Sequence, residues 1–225
     1  MFLNPCVNDF MGLNEMMKRR QFFKGGVVTG ALAGITGVSA EELVKTPKQI
    51  EGPFYPKVAQ KDKDFDLTKI EGQEGTAAGK VVIISGAILN TDGTPVEDAT
   101  VDLWQANAAG RYNHPSDKNE APLDPNFQGW AIVPSGKNGE FKFKTVVPGS
   151  YPASKDWSRP PHIHFKVSKL GYVELITQMY FPGEKLNNTD KLLQRVPEAE
   201  RAALIAKLIP GEIDTYEFKI VLEKA

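Results

Sequence analysis

The chain has 225 residues, 41% hydrophobic and 24% charged, with a formal net charge of −1. That balance fits a globular fold and gives no excess of positive charge for binding a polyanion. The single cysteine, Cys6, excludes a disulfide framework, a cysteine-rich zinc site and an iron–sulfur cluster, and three histidines limit any histidine-based site.

The N-terminal forty residues read as an address. Lys18, Arg19 and Arg20 precede a mildly apolar, glycine-rich run from Gly25 to Val38, which ends in the small residues Val38-Ser39-Ala40. Basic cluster, apolar run and small-residue cleavage site are the three parts of a secretory signal. RRQFFK resembles the twin-arginine export signal. The reading is export to the periplasm or cell exterior by that route, with the signal cleaved or kept as an anchor. A flexible basic terminus is the alternative. The run is too short and glycine-rich for a stable membrane span of roughly 20 apolar residues. Met16 or Met17 is a candidate true start. Removing residues 1–40 leaves 23 basic and 26 acidic residues, a net charge of −3, and no cysteine.

Residues 41–79 read as an irregular, charged arm, and residues 80–225 as the main domain. From residue 80 the chain is a series of short strands split by Gly, Pro, Asn and Asp. KVVIISGAIL (80–89) is β-branched and runs into the turn cluster Asn90-Thr91-Asp92-Gly93-Thr94-Pro95, after which ATVDLWQA (99–106) resumes. In EFKFKTV (140–146) Phe141, Phe143 and Thr145 alternate with charged residues, the period of a half-buried strand. ELITQMYF (174–181) is a further strand, and TYEFKIVLE (215–223) places Tyr216, Phe218, Ile220 and Leu222 on one face. Pro197 before EAERAALIAKL, with Pro210-Gly211 after it, predicts one short helix near 197–209. The expected fold is an all-β sandwich of mostly antiparallel strands with long loops.

The chemistry is concentrated in RPPHIHFKVS (159–168). Residues two apart on a strand share a face, so His162, His164 and Lys166 oppose the apolar Ile163, Phe165 and Val167. The histidines therefore lie away from the core, either as a metal pair or as exposed side chains. Two neutral imidazoles at this spacing can share one metal. Without thiolates, further ligands must come from carboxylates, His114 or tyrosines. Tyr112 and Tyr151 both sit in loops at strand ends, where site residues concentrate, although composition alone reads either as a packing residue.

WQANAAGRY (104–112), APLDPNFQGW (121–130), VPGSYP (147–152), RPPHIHF (159–165) and LITQMYF (175–181) together resemble the intradiol ring-cleavage dioxygenases, closest to the iron-bearing β chain of the two-chain members. EGPFYP (51–56) resembles an opening segment of that family. The resemblance spans residues 50–225. It implies a mononuclear non-haem Fe(III) held by Tyr112, Tyr151, His162 and His164 with a solvent ligand. Two tyrosinates and a hydroxide neutralise the ferric charge, and the metal supplies the drive to deprotonate a phenol of ordinary pKa about 10.

The implied reaction takes a catechol-type aromatic diol (protocatechuate, catechol or hydroxyquinol) and O2. The ring opens between its two hydroxylated carbons to a cis,cis-muconate-type diacid. By the same resemblance Tyr151 is the axial tyrosinate that leaves the metal and takes a proton, His164 is the other axial ligand, and Tyr112 and His162 are equatorial. Arg159 stands where a guanidinium would stabilise charge on the ring. Gln178, Trp104 and Tyr55 match pocket positions. One departure stands out: the family's β chain carries a tryptophan directly after the tyrosine-proline pair, where this chain has Ala153, so that wall is missing or comes from elsewhere. A homo-oligomer and an α-type partner chain are both admissible, and no nucleic acid is expected.

Two other readings remain open. His162, His164 and His114 form a three-histidine set for a zinc hydrolase or hydratase. GAILNTDGTPVEDATVDLW (86–104) resembles the turn-and-strand unit of transthyretin-like binding sandwiches, which carry no chemistry.

Overall fold

The computed structural model describes residues 43–225 apart from Ala59 and Lys61, so the export signal read in residues 1–40 lies outside the described residues. No helix among the described residues is long and apolar enough to cross a membrane. Eleven strands, one short α-helix and three 3-10 turns account for the regular structure among the described residues.

The first sheet is built around β1 (Val81–Asn90). On one side it pairs antiparallel with β4 (Glu140–Val146) from Val81↔Val146 to Ala87↔Glu140. On the other it pairs in parallel with β10 (Thr215–Glu217) and then β11 (Ile220–Leu222). Ile83↔Thr215 and Ile88↔Ile220 preserve one register, so 215–222 is a single strand path interrupted at Phe218-Lys219. At the interruption the Phe218 carbonyl lies against Gly86, where any Cβ would collide with it. Tyr216, Phe218, Ile220 and Leu222 all enter the core, as the alternation of the sequence requires.

The second sheet is antiparallel throughout, in the order β3 (Trp130–Pro134), β2 (Thr100–Trp104), β7 (His162–Ser168), β8 (Leu175–Tyr180). Its inner face carries Val101, Leu103, Ile163, Phe165, Val167 and Met179, packed against Val82, Ile84, Ile88, Phe141 and Phe143 of the first sheet. Each such side chain contributes about 1.5–3 kcal/mol by leaving water. Its outer face carries Asp102, Trp104, Trp130, His162, His164, Gln178 and Tyr180, aligned by the pairings Trp104↔His164, His164↔Gln178 and His162↔Tyr180. A two-stranded hairpin, β5 (Tyr151–Ser154) and β6 (Trp157–Arg159), stands beside it.

The helix α1 occupies Glu198–Arg201 and passes into a 3-10 turn over Ala202–Leu204. It stops there because the Ala206 N–H donates to the Tyr180 carbonyl and β9 (Lys207–Ile209) pairs with β10. The arm from residue 43 has no strands of its own, yet it is fastened to both sheets. Thr46 N–H donates to Val221 O, Gln49 N–H to Ile176 O and Leu67 N–H to Lys144 O, and Leu67 is wholly buried. The arm crosses the outer face of the second sheet and covers it.

Candidate metal centre

Three pieces of chain deliver the four expected ligands. His162 and His164 come from β7, on the face opposite Ile163 and Phe165 as the alternation demands. They are not on open surface: they are 2% and 3% exposed, because the arm and the loops after β2 and β4 roof that face. Tyr112 leaves a tight turn organised by Asn107. The Asn107 Oδ1 accepts from Ala109 and Arg111 N–H, and its carbonyl accepts from Gly110 and Gly149 N–H. Gly110, at φ 82°, lies so close to the Ser150 carbonyl that a side chain there would strike it. This turn ties the 107–112 segment to Ser150 and so sets Tyr112 beside Tyr151, the first residue of β5. Asp117 holds the far side of the loop by accepting the Tyr112 N–H at 2.7 Å.

The four rings converge. Ring centroids are 4.9 Å apart for His162 and His164, 5.6 Å for Tyr112 and Tyr151, 5.7 Å for Tyr151 and His162, and 6.2 Å for Tyr112 and His164. Pro160 offers His162 only a carbonyl, 2.7 Å from Nδ1, so Nδ1 carries the proton and Nε2 presents its lone pair. That lone pair lies 3.5 Å from the Tyr112 hydroxyl, a loose contact. His164 Nδ1 is buried with no partner among the described residues.

Burial sets the protonation states. Loss of solvent, then the Arg159 charge and His164, push His162 well below the usual imidazole range, and the same desolvation and Arg159 hold His164 down to about 3. Both imidazoles are held neutral at physiological pH. Desolvation also raises both phenols, Tyr112 strongly, with the neighbouring Tyr151 adding to it; the Arg159 charge partly offsets the rise at Tyr151. Two phenols that need a nearby cation to ionise, facing two imidazoles with free lone pairs, form a donor set suited to a hard, high-valent metal such as Fe(III). A buried imidazole nitrogen without a partner is costly, and a metal bond is one way to satisfy such a site.

A cleft of about 480 Å³ opens onto the cluster, lined by Phe54, Tyr151, Ala153, Trp157, Arg159 and His164 among others. Arg159 is 4% exposed and pairs across the hairpin with Tyr151. Its Nη2 donates to Gln178 Oε1 at 2.6 Å and to the Tyr180 hydroxyl at 3.2 Å, and its Nε to Asp190 at 2.7 Å. Ala153 leaves no aromatic wall at its own position; the aromatic side chain that the hairpin brings to the cleft is Trp157, whose backbone pairs with Ser154.

Three residues expected at the substrate, Tyr55, Trp104 and Gln178, do not line this cleft. Tyr55 spends its hydroxyl on Asp102, at 2.7 Å, and packs edge-on against Trp104. Trp104 stacks flat on His164. Gln178 has both ends of its amide engaged, Oε1 with Arg159 and Nε2 with the Ile50 carbonyl. His114 accepts from Ser116 N–H and stays outside the cluster. No three His, Cys, Asp or Glu side chains gather around one point among the described residues, which removes the geometry of the three-histidine zinc reading.

Several contributors carried no sequence signal of their own. Phe54 packs 4.7 Å from the Tyr112 ring, and Gly52, at φ 78°, runs its backbone past His164. EGPFYP was legible as a motif, but not that it forms the roof. Asp117, Trp157 and Asp190 were unmarked, since their partners are brought to them only by folding.

Comparison with known proteins identifies the family. The profile of the dioxygenase family (Dioxygenase_C) matches residues 50–224. The protocatechuate 3,4-dioxygenase β chain of Burkholderia cepacia is 42% identical over 168 residues, covering 71% of each chain. The chain spans about half the length of the hydroxyquinol 1,2-dioxygenase of Rhizobium sp., at 30% identity, and of catechol 1,2-dioxygenase 1 of Acinetobacter lwoffii, at 34%. Among solved structures, the dioxygenase domain of a dioxygenase–carbohydrate-binding fusion from Streptomyces sp. superposes with a TM-score of 0.60 at 29% identity, covering 81% of this chain and all of that one. Catechol 1,2-dioxygenase from Pseudomonas arvilla gives 0.60 at 26% identity, covering 80% and 62%.

Fold and matches together define an enzyme, a ring-cleavage dioxygenase of the intradiol class. The chain belongs to the Dioxygenase_C family. A non-catalytic sandwich is thereby set aside, although 86–104 does form the expected strand, turn and strand.

Proposed function

We propose that the chain binds one Fe(III) through Tyr112, Tyr151, His162 and His164, and with it cleaves a catechol-type diol between its hydroxylated carbons to a muconate-type diacid. The observation that carries this is the convergence of two buried phenols and two neutral imidazoles beside one cleft, which Tyr151 and His164 line. When bound, the iron supplies the charge that ionises the phenols and draws electron density from the diol, making its ring reactive to O2. The remaining work falls to the protein. Phe54, Trp157 and Leu192 exclude water from the ring; the Tyr151 hydroxyl oxygen takes a proton from a catechol hydroxyl; and the Arg159 guanidinium faces the negative charge that develops on the ring.

The substrate range includes protocatechuate, the ring named for the Burkholderia relative. That relative is a β chain, which favours an α-type partner chain over a homo-oligomer for completing the open side of the cleft. Export by the twin-arginine route belongs to the same proposal, on the motif in residues 18–40. The test is to load the purified chain with iron and measure O2 uptake and ring-opened product on protocatechuate, catechol and hydroxyquinol. Consumption of O2 with diacid formation supports the reading; a loaded chain inert to all three defeats it.

A further inference from the structure

Resting on the reading of Arg159 as the cation of the site, we propose that Asp190 is the positioning residue that fixes the Arg159 guanidinium over the cleft. Asp190 is fully buried; one of its oxygens faces the cation, and the other takes two backbone N–H groups and a longer contact from the Tyr180 hydroxyl at 3.4 Å. Oδ2 accepts from Arg159 Nε at 2.7 Å; Oδ1 accepts from the Leu193 and Leu192 N–H groups at 2.8 and 3.1 Å. The carboxylate therefore cannot rotate without breaking the turn that starts at Leu193. That same loop carries Leu192 into the cleft wall, so one side chain sets both a wall and the charge beside it.

The rest of the guanidinium is held with similar economy. Nη2 is shared by Gln178 and Tyr180, Gln178 is anchored on the Ile50 carbonyl, and the Tyr180 hydroxyl also reaches Gln49 at 3.2 Å. None of these bonds uses Nη1, and Arg159 lines the cleft next to Tyr151. An arginine without Asp190 would keep its charge but lose its aim, drifting within a buried space toward the phenol of Tyr151. A preorganised cation is worth far more to a developing charge than one that must reorient.

The test uses the full chain in two forms. In the iron-loaded form, Asp190→Asn should keep its metal and visible band while kcat falls about 10- to 100-fold with KM little changed, the penalty of a misplaced group rather than a lost pocket. In an Arg159→Ala background the same change should cost less than about 2-fold, since a residue acting only through another is silent once that other is gone. In the metal-free form, the Arg159 Nε–H followed by nitrogen-edited NMR should exchange slowly in the native chain and at least about 10-fold faster in Asp190→Asn. Native kcat in Asp190→Asn, an undiminished penalty in the Arg159→Ala background, or a native Nε–H that exchanges as freely as an exposed arginine would each overturn the proposal. The last needs no variant to fold. Full activity of Arg159→Ala by itself would instead reject the role given to the arginine.

Discussion

Trp104 lies flat against His164, with ring centroids 4.8 Å apart and planes 11° from parallel. The pairing follows from the register of β2 and β7, which sets these two residues directly opposite on the outer face of the sheet. Behind the indole, Tyr55 packs edge-on, and Asp102 accepts from both the Tyr55 hydroxyl and the Trp130 indole at 2.7 Å. The His164 ring is thus clamped by the aromatic stack behind it.

Loosening that clamp should loosen the metal. Trp104→Ala removes a fully buried indole, which costs about 3–5 kcal/mol of stability, and frees His164 to rotate. Iron affinity should fall about 10- to 100-fold, the usual penalty for losing a group that orients a ligand. Competition with a chelator gives the affinity and urea denaturation the stability. Unchanged iron retention would mean the stack is packing alone.

Tyr151→Phe removes one hydroxyl and leaves the ring contacts with Tyr112 and His162 in place. Stability of the metal-free chain should change by no more than about 1–1.5 kcal/mol. Most activity should be lost and the visible band should shift if the proposed pair of tyrosinates is reduced to one. An unchanged spectrum with full turnover would remove Tyr151 from the ligand set.

The metal-free chain should weaken in acid through its histidines. His164 titrates near 3 in the fold against an ordinary 6.5, and His162 is also well depressed, so the unfolded chain binds more protons between those limits. Their contribution is fully present above about pH 6.5 and declines as pH falls toward 3, by up to about 1.4 kcal/mol per pH unit for each group. Urea midpoints at pH 7, 5 and 4 measure this. His164→Gln should flatten the slope, and a slope indifferent to that change would show that the imidazole is not held neutral by the fold.

Ala153 and Trp157 both line the cleft, from the two strands of the same hairpin. Ala153 is exposed at the edge of the cleft, and Trp157 stands across the hairpin with the Arg159 and Lys191 cations 5.6 and 5.4 Å from its ring. Trp157→Ala should raise KM for any diol about 10-fold or more by removing an aromatic contact worth roughly 1.5 kcal/mol. Ala153→Trp should instead narrow the cleft and select against ring-substituted diols relative to catechol. Steady-state kinetics on catechol and a carboxylated catechol separate the two effects; identical selectivity in both variants would place the wall elsewhere.

How much was readable in advance depended on whether the signal was local. Alternation in EFKFKTV and HIHFKVS gave the strands and their faces, because a period of two is imposed by the backbone itself. WAIVP passed unread because a short apolar run has no period, and β5 and β6 because Pro152 and the polar residues around them mimic a loop. TYEFKIVLE read as one strand, and its register does continue, but Gly86 allows the Phe218 carbonyl to intrude and splits it. The four candidate ligands were legible through their motifs; their burial was not, since the roof is the arm, forty or more residues away. Asp190 was invisible for the same reason: Arg159 lies 31 positions earlier in the chain.

The most direct test is a crystal structure of the chain loaded with iron, with its visible spectrum recorded from the same crystals. The account predicts one ferric ion per chain, bonded to the hydroxyl oxygens of Tyr112 and Tyr151 and to one ring nitrogen each of His162 and His164, in a red-brown crystal. A colourless crystal, or an ion bound by other side chains, would contradict it.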